Sequence, residues 1–441
     1  MSPRAQGVAV TFRTPNYVAT LSNRDIIFIS SIEWDFLWQA PQEIALRLAQ
    51  NGNRVLYIEN TGVRAPGLRD AGRVVRRVKR RADGIGSGGL REVAPGLHVY
   101  PPVVMPPFGP RWRRDINRHF LLPAVRRAAH RLGMRDPLIW TYLPTDTAAD
   151  LIQLLRSPRG GVVYYCAADF SQLTPHVRQL RRSEREVIER SDVVFTICHD
   201  LAVHCARWSD SVHVFPYGVN LDAFPLEAHD EMNDAAAPTV NGEHRNVLRP
   251  RPEMQQLKSL SSPVIGYVGG LHRHVDVKML EEMARARPLW SWVFVGSLDT
   301  PLGKLAELPN VYLFGQRAHP ELADYIRQFD VCLVPYVKST YTDTVVPVKI
   351  NEYLAMGKPV VSTDIPTVCH FNTRHQVLIT APAQTPTFLR AIEGALNSPP
   401  DPSEIKRRRE VAALGDWGER LRSMSEVIES SLRAKPGSGG K

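Results

Sequence analysis

Short apolar runs separated by longer amphipathic stretches recur along most of the chain. In the first half the runs are DIIFIS, RVLYIE, LIWTYL, VVYYCA, DVVFTIC and VHVFPYG, and in the second half they are PVIGYVGG, WSWVFVGS, VYLFG, VCLVPYV and KPVVST. These runs have the length and the β-branched composition of buried strands, and the stretches between them are long enough for helices. Because strand–helix alternation favours parallel sheets, we predict an α/β protein.

The alternation stops once, which indicates a domain boundary. Residues 227–262 are rich in Asp, Asn, Pro and Glu and have no sustained periodicity. Since 441 residues exceed what one core comfortably supports, we predict two domains, 1–226 and 263–400, joined by this stretch as a linker. The apolar stripe in residues 401–435 predicts terminal helices, and the Gly/Ser composition of residues 436–441 predicts a disordered tail.

Positive charge is concentrated in the first half of the chain. Lys and Arg outnumber Asp and Glu by 30 to 20 in residues 1–226, whereas residues 227–441 hold 25 of each. Two basic segments, 64–81 and 111–135, suit an anionic membrane surface or an anionic lipid-linked acceptor, and a solvated helix face is the alternative. No recognised nucleic-acid-binding motif accompanies them, so we expect no nucleic-acid partner.

The N-terminus lacks the charged-then-apolar build of a secretory signal, and no apolar run approaches the ~18 residues of a membrane span. We therefore expect a cytoplasmic protein, with possible peripheral contact at the inner face of the membrane. Five cysteines are an odd number and widely spaced, which favours a reducing compartment. The cluster from Cys198 to Cys205 has no second ligand pair nearby, so we expect no metal site there.

The segment DTVVPVKINEYLAMGKPVVST carries the strongest chemical signal. A Pro suited to a first helical turn precedes Lys349 and Glu352, which are three residues apart and share one helical face, and a Gly and a β-branched strand follow. A helix start can receive an anion, and a carboxylate in the first turns can accept hydrogen bonds from a ribose. This pattern indicates nucleotide binding, with an intrahelical Lys–Glu pair as the structural alternative.

PVKINEYLAMGKPVV resembles the donor-site signature P-x-K-x-x-E-Y-x-A-x-G-K-P-V of GT-B glycosyltransferases of the group 1, or family 4-like, type. The resemblance implies two Rossmann-like parallel-sheet domains that face a central cleft, with a C-terminal helix crossing back to the N-terminal domain. It also implies that Glu352 binds the ribose, that Lys349 contacts the phosphates, and that the diphosphate meets backbone N–H groups of the loop made by Thr344, Val345 and Val346.

Two further segments resemble parts of the same family. GYVGGLHRHVDVKML resembles its glycine loop, which implies that Gly269 and Gly270 permit close approach of the diphosphate. Members often carry a Lys where this chain has Asp276, so Arg273 or Lys278 is the expected substitute. VYLFGQR, which contains Gly315, resembles the turn that usually meets the nucleotide base.

Catalytic groups in the N-terminal half are harder to assign. Family members often have a Gly-Gly turn after the first strand and a His after a middle strand, and this chain has neither. The candidates are the polar residues that follow predicted strands, where open α/β sheets bind ligands: Glu33, Asp35, Tyr142, Thr145 and Asp169. Asp and Thr at such positions are more often helix caps than catalytic groups.

The resemblance implies a hexosyltransferase-like enzyme that moves a sugar from a nucleoside-diphosphate donor to a glycan or lipid-linked acceptor in polysaccharide biosynthesis. It further implies retention of the anomeric configuration and no need for a metal or another cofactor. Many members have a Glu where this chain has Thr344, which leaves the identity of the sugar open. The alternatives are a GT-B nucleotide-sugar epimerase and a non-catalytic nucleotide-sugar-binding scaffold, and donor turnover distinguishes them.

Overall fold

A computed structural model describes residues 21–35, 38–59, 89–226, 252–398 and 401–434. The described residues form two sheets, one in each half of the chain, and helices pack against both sheets. The predicted tail, the basic segment 64–81 and most of the predicted linker lie outside the described residues. Within the rest of the linker region, a short helix precedes the first strand of the second sheet.

The first sheet has the strand order β3-β4-β2-β1-β5-β6-β7-β8, and its pairs are parallel except β3 with β4. The second sheet has the order β11-β10-β9-β12-β13-β14 and is parallel throughout. In chain order, β1 to β14 are Asp25–Ile29, Arg54–Ile58, Arg91–Ala94, Leu97–Tyr100, Leu138–Thr141, Gly161–Cys166, Val193–Thr196, Val212–Val214, Val264–Val268, Ser291–Val295, Val311–Gly315, Val331–Val334, Val360–Thr363 and Ile379–Ala381.

Helices connect the parallel strands and cover both faces of each sheet, which is why most of the strand residues are apolar and buried. In chain order, α1 to α14 are Ala40–Gln50, Arg111–Ile116, Leu122–Arg131, Asp146–Leu155, Val177–Arg190, His199–Cys205, Pro252–Lys258, Val277–Ala286, Leu322–Arg327, Lys349–Ala355, Pro366–His375, Thr385–Asn397, Pro402–Ala413 and Trp417–Arg433. The π-helical turn Asn117–Leu121 joins α2 to α3.

Each sheet has a point where the strand order reverses beside its first strand. Strand β1 lies between β2 and β5, and β9 lies between β10 and β12. The loops that leave two neighbouring strands diverge there and open a crevice at their carboxyl ends, where α/β sheets bind ligands. The resemblance therefore places the glycine loop, which follows β9, at such a crevice.

The last helix, α14, packs against the N-terminal domain. Its buried side chains belong to the core of the first sheet: Trp417, Leu421, Met424, Ile428 and Leu432. Arg24 also donates two hydrogen bonds of 3.0 Å to Glu429. The chain thus passes between the domains twice, and the two crossings touch where Val219 bridges Asp416. The two Rossmann-like domains and the helix that crosses back confirm the architecture expected from the resemblance.

Among the described residues, no helix combines the length and the hydropathy that crossing a bilayer requires.

Candidate functional site

Lys349, the first residue of α10, lies in a cradle of two tyrosines. Its Nζ donates hydrogen bonds to the Oη atoms of Tyr267 (2.7 Å) and Tyr336 (3.1 Å) and sits 4.0 Å from the centre of the Tyr267 ring. Burial raises the pKa of both phenols. In the described part of the chain Lys349 has no acidic partner, so its positive charge is held by neutral groups and is available to an anion.

Two glycines let the loops after β9 and β10 approach this ammonium group. Gly269 has a φ of +127°, and a Cβ added there would lie 2.8 Å from Nζ of Lys349. Gly296 has a φ of +156°, and a Cβ there would collide with the carbonyl group of Gly269. Only glycine fits this close approach, which brings the backbone of the glycine loop next to the ammonium group of Lys349.

Glu352 lies one turn further along α10 and is 8% exposed. Its Oε1 is 3.1 Å from Nε2 of His319, a residue in the turn after β11 whose ring meets Phe224 edge-on at 5.3 Å. Burial alone would lower the pKa of His319, but the hydrogen bond and the charge of Glu352 outweigh it, with help from Glu43, and the net effect is a raised pKa. His319 therefore holds the carboxylate that we expect to bind a ribose.

The alternative of an intrahelical Lys–Glu pair is wrong in this structure. Lys349 turns to tyrosines from β9 and from the end of β12, whereas Glu352 turns to His319. A cation and a carboxylate on one helical face thus stay unpaired with each other. They have separate partners from three other elements of the same domain.

The charged residues after the glycine loop differ in their surroundings. Asp276 accepts a hydrogen bond from the backbone N–H of Met279 (2.9 Å) and so caps α8, which accounts for its presence without a role in phosphate binding. Lys278 is fully on the surface and reaches Glu282 at 3.9 Å. Arg273 is exposed on the loop itself and bonds to Nε2 of His274 at 3.2 Å.

His272 also lies in the glycine loop, close enough to Lys349 on α10 to sense its charge. Burial, followed by the charge of Lys349, lowers the pKa of His272 to about 4. The imidazole is therefore neutral near pH 7, and Lys349 and Arg273 are the cations of this part of the site. The ring of His274 stacks on Tyr341 with 4.2 Å between the ring centres, which fixes the end of the loop.

The loop that precedes α10 lies at the contact between the domains. The backbone N–H groups of Thr344 and Val345 close a turn on the carbonyls of Tyr341 (3.4 Å) and Thr342 (3.1 Å). The carbonyl of Thr344 accepts a hydrogen bond from Sγ of Cys198 in the N-terminal domain, at 3.7 Å. Val346 packs against the N-terminal core. Gly315 ends β11 with a φ of +67°, one turn before His319.

Residues 262–398, which contain Lys349, Glu352, His319 and the two tyrosines, match the model of the family described as Glycosyl transferases group 1. This segment is therefore similar to group 1 glycosyltransferases, and we call the domain that contains it the glycosyltransferase domain. Over 170 residues the chain is also 31% identical to the provisionally named teichuronic acid biosynthesis glycosyltransferase TuaH of Bacillus subtilis (strain 168). That alignment covers 38% of this chain and 43% of TuaH, so the chain matches less than half of the length of this curated relative.

Solved structures resemble the N-terminal domain and the glycosyltransferase domain together. Sucrose-phosphate synthase from Thermosynechococcus elongatus has a TM-score of 0.65 and 18% identity, over 93% of this chain and 100% of that chain. Alr3699/HepE of Anabaena, solved in complex with UDP, has a TM-score of 0.61 and 14% identity, over 92% of this chain and 100% of that chain. At these identities the likeness concerns the fold, which is GT-B.

In the N-terminal domain, opposite the glycosyltransferase domain, two of the catalytic candidates act as caps. Thr145 accepts a hydrogen bond from the backbone N–H of Ala148 at the start of α4 (3.2 Å). Asp169 accepts hydrogen bonds from Ser171 and from Arg181 (3.1 Å). Burial alone would raise the pKa of Asp169, but the Ser171 hydrogen bond and the Arg181 charge lower it overall. Both positions thus have the structural role that was the alternative.

The other three candidates lie in different surroundings. Asp35 forms an ion pair with Arg91 at 3.0 Å near the surface, and Glu33 is half-buried. Tyr142 is fully buried and stacks on Tyr165 at 5.1 Å. Burial raises the pKa of Tyr142 well above its usual value, and its Oη has no hydrogen-bond partner among the described residues.

The cysteine–histidine cluster has a structural explanation. His204 lies 3.0 Å from Oε2 of Glu184 and 3.1 Å from Nη1 of Arg181. All five cysteines are free thiols. Within the ranges that the structure describes, no group of three or more potential ligands is arranged to hold a metal ion.

Sequence reasoning did not find His319, Tyr267 or Tyr336, although these residues hold the two charged groups of α10. A signal for His319 was available, because it follows the VYLFGQR turn that the resemblance places near the nucleotide. Tyr267 and Tyr336 give no such signal, since an aromatic residue in a buried strand is ordinarily part of the core.

Proposed function

We propose that the protein transfers a sugar from a nucleoside-diphosphate donor, bound by the glycosyltransferase domain, to an acceptor held by the N-terminal domain. The observation that carries this proposal is the pair Lys349 and Glu352, one turn apart on α10 and each held by separate partners. An ammonium group among neutral tyrosines suits a diphosphate, and a carboxylate suits ribose hydroxyls. Both groups lie within the segment that matches the family.

In this proposal the leaving diphosphate is stabilised by Lys349, by Arg273 and by backbone N–H groups of the glycine loop. Preorganised cations and dipoles stabilise developing negative charge without a divalent ion, so the reaction requires no metal. The sugar keeps its anomeric configuration, as the resemblance implies. Thr344 supplies a hydroxyl where many members supply a carboxylate, and it therefore contacts the sugar through a neutral group.

Two similar proteins support our choice of donor and acceptor. HepE was solved in complex with UDP, and TuaH is named for teichuronic acid biosynthesis. These names support a nucleoside-diphosphate sugar as donor and a glycan or lipid-linked glycan of a polysaccharide pathway as acceptor. We place the reaction in the cytoplasm, with the protein peripheral at the inner face of the membrane.

A second candidate, a non-catalytic nucleotide-sugar-binding protein, is favoured by two positions. Thr344 donates its hydroxyl to the carbonyl of Tyr341 at 3.3 Å, and Asp276 caps a helix where many members supply a cation. Nothing in the described residues favours the epimerase in the same way.

One experiment separates these functions. The protein is first screened by thermal shift against UDP, GDP, ADP, CMP and dTDP sugars, since a ligand at about 100 times its Kd stabilises by about 2.7 kcal/mol. The best donor is then incubated with and without lipid-linked acceptors, and the products are separated. Transfer that requires an acceptor supports the proposal. Epimerised donor without acceptor, or binding without any product, would replace it with one of the alternatives.

A further inference from the structure

Three large apolar side chains lie exposed along one edge of the N-terminal domain. Trp112, Ile116 and Phe120 are 51%, 37% and 71% exposed and recur every fourth residue through α2 and the π-helical turn. Side chains with this spacing share one helical face. We call these three residues the apolar ridge. Water-exposed aromatic groups grouped in this way mark a surface that binds something apolar.

The opposite face of the same segment is fixed to the domain. Arg114 and Arg118 each form two hydrogen bonds with the buried carboxylate of Asp150, at 2.8 to 3.0 Å. Asn117 is buried, exchanges hydrogen bonds with the backbone of Met105 and donates to Thr147 Oγ1 at 3.1 Å. Because these contacts hold the inner face, the segment cannot roll over to bury the apolar ridge.

Arginines are frequent in the segment that carries the apolar ridge and directly after it. Residues 111–135 contain eight arginines and one acidic residue, Asp115. Arg126 and Arg127 are exposed on α3 and have no acidic partner among the described residues. A protein partner with an acidic and apolar surface would meet the same groups. The combination of exposed Trp and Phe with many arginines in one short helical segment fits the interface of an acidic bilayer better, because rings enter the acyl boundary while guanidinium groups remain at the phosphates.

We propose that residues 111–131 dock the protein on an anionic lipid bilayer, with Trp112, Ile116 and Phe120 inserted among the lipids. This inference rests on the proposed function only in that a lipid-linked acceptor gives the docking its purpose. The segment follows the carboxyl end of β4, and Asn117 holds it against α4, which follows the carboxyl end of β5. These are the strand ends that face the cleft, so docking would bring a membrane-bound acceptor toward it.

The proposal differs from an electrostatic attraction of the basic segments alone. Charge attraction is screened beyond about 8 Å in physiological salt, whereas burial of apolar groups persists. If the apolar ridge inserts, vesicle binding should weaken as the salt concentration rises. The binding that remains at high salt should depend on the three apolar side chains. If charge alone acts, high salt should abolish binding and the ridge should not matter.

The test uses the full chain and vesicles of phosphatidylcholine with or without phosphatidylglycerol, measured by co-sedimentation at low and high salt. The ridge variant is Trp112→Ser with Ile116→Ser and Phe120→Ser. The matched control is Leu289→Ser with Leu298→Ser and Leu414→Ser, three side chains that are 84%, 53% and 67% exposed elsewhere. The charge variant is Arg126→Gln with Arg127→Gln.

We expect the native protein to bind the acidic vesicles, and the ridge variant to bind them at least roughly tenfold more weakly at both salt concentrations. The control should bind as the native protein does, and the charge variant should lose affinity mainly at low salt. Brominated lipid should quench the tryptophan fluorescence of Trp112→Phe less than that of the native protein, because Trp112 is the tryptophan that inserts.

Equal vesicle binding by the ridge variant and the native protein would overturn the proposal. A native dimer that the ridge variant converts to a monomer, without a change in vesicle binding, would instead assign the apolar ridge to a second copy of the chain. The nucleotide thermal shift is measured on every variant and should not change. If nucleotides produce no thermal shift in the native protein, the donor site is contradicted. The result on membrane docking is unaffected by that outcome.

Discussion

Replacing Glu352 with alanine tests the group on which the proposed donor site depends most. Its carboxylate is expected to accept hydrogen bonds from ribose hydroxyls while Oε1 stays near His319, at 3.1 Å. A charge-assisted hydrogen bond contributes roughly 1.5–3 kcal/mol. Since about 1.4 kcal/mol corresponds to a tenfold change in affinity, loss of one such bond should weaken binding of the nucleoside diphosphate roughly ten- to hundredfold.

The structure adds a consequence for stability. Glu352 is 8% exposed, and alanine would leave the half-buried His319 without its hydrogen-bond partner. Leaving a fully buried polar group unpaired costs about 1–3 kcal/mol, so the alanine variant should lose less than this and unfold at a slightly lower temperature. Glu352→Gln keeps an oxygen that can accept from His319 and from one hydroxyl. It should be milder in both respects.

Calorimetric titration of the nucleoside diphosphate against the native protein and both variants measures the affinity, and circular dichroism melting measures the stability. His319→Ala serves as a control that removes the same hydrogen bond but keeps the carboxylate. The reasoning is refuted if the alanine variant is folded and binds the nucleotide with unchanged affinity. If His319→Ala loses as much affinity as Glu352→Ala, the carboxylate contributes through its partner and not through the ribose.

Three further predictions follow from the same site. Lys349→Met should weaken binding of the nucleoside diphosphate roughly tenfold but hardly affect the nucleoside, because only the former carries the charge that the ammonium group attracts; equal losses in calorimetry would point to a damaged fold. EDTA should leave sugar transfer intact, and activity lost on chelation and restored by manganese would contradict the metal-free reaction. His319 has a raised folded-state pKa, so its charged form stabilises the fold fully below its usual value of 6.5 and this contribution is lost as pH rises through the raised value. The difference in free energy of unfolding between the native protein and His319→Gln should therefore shrink with rising pH, and a constant difference in denaturant titrations would refute it.

Much of the fold could be predicted because parallel strands are buried on both faces. Runs such as those around Phe28 and Tyr267 are then continuously apolar and stand out from the polar helix surfaces. The positions of Lys349 and Glu352 could also be predicted, since both lie in one short helix and their shared face follows from local geometry alone.

The partners of these two residues could not be predicted, because they come from distant strands and turns. Nothing local states that Tyr336 reaches Lys349 or that His319 reaches Glu352. The N-terminal candidates show the reverse problem. An Asp or Thr after a strand can cap the next helix or face a ligand, and only the contacts of Thr145 and Asp169 show that both are caps.

The apolar ridge was overlooked for a related reason. The sequence shows eight arginines in residues 111–135, and the interpretation of that segment depended on charge alone. Whether Trp112 and Phe120 face the core or the solvent depends on which side of the helix is anchored. Asp150, which lies on a later helix, provides that anchor for Arg114 and Arg118.

The helix that crosses back has a consequence for the order in which the protein is made. Side chains of α14, the last described helix, complete the apolar core of the N-terminal domain. A Cβ added at Gly161 would lie 2.7 Å from Cδ2 of Leu432, so this contact is tight. Synthesis proceeds from the N-terminus, so the second domain emerges and can fold while the first still has an open apolar surface. The domain that is translated first is therefore the one completed last, and a nascent chain stopped before Trp417 would carry a finished second domain joined to an unfinished first one.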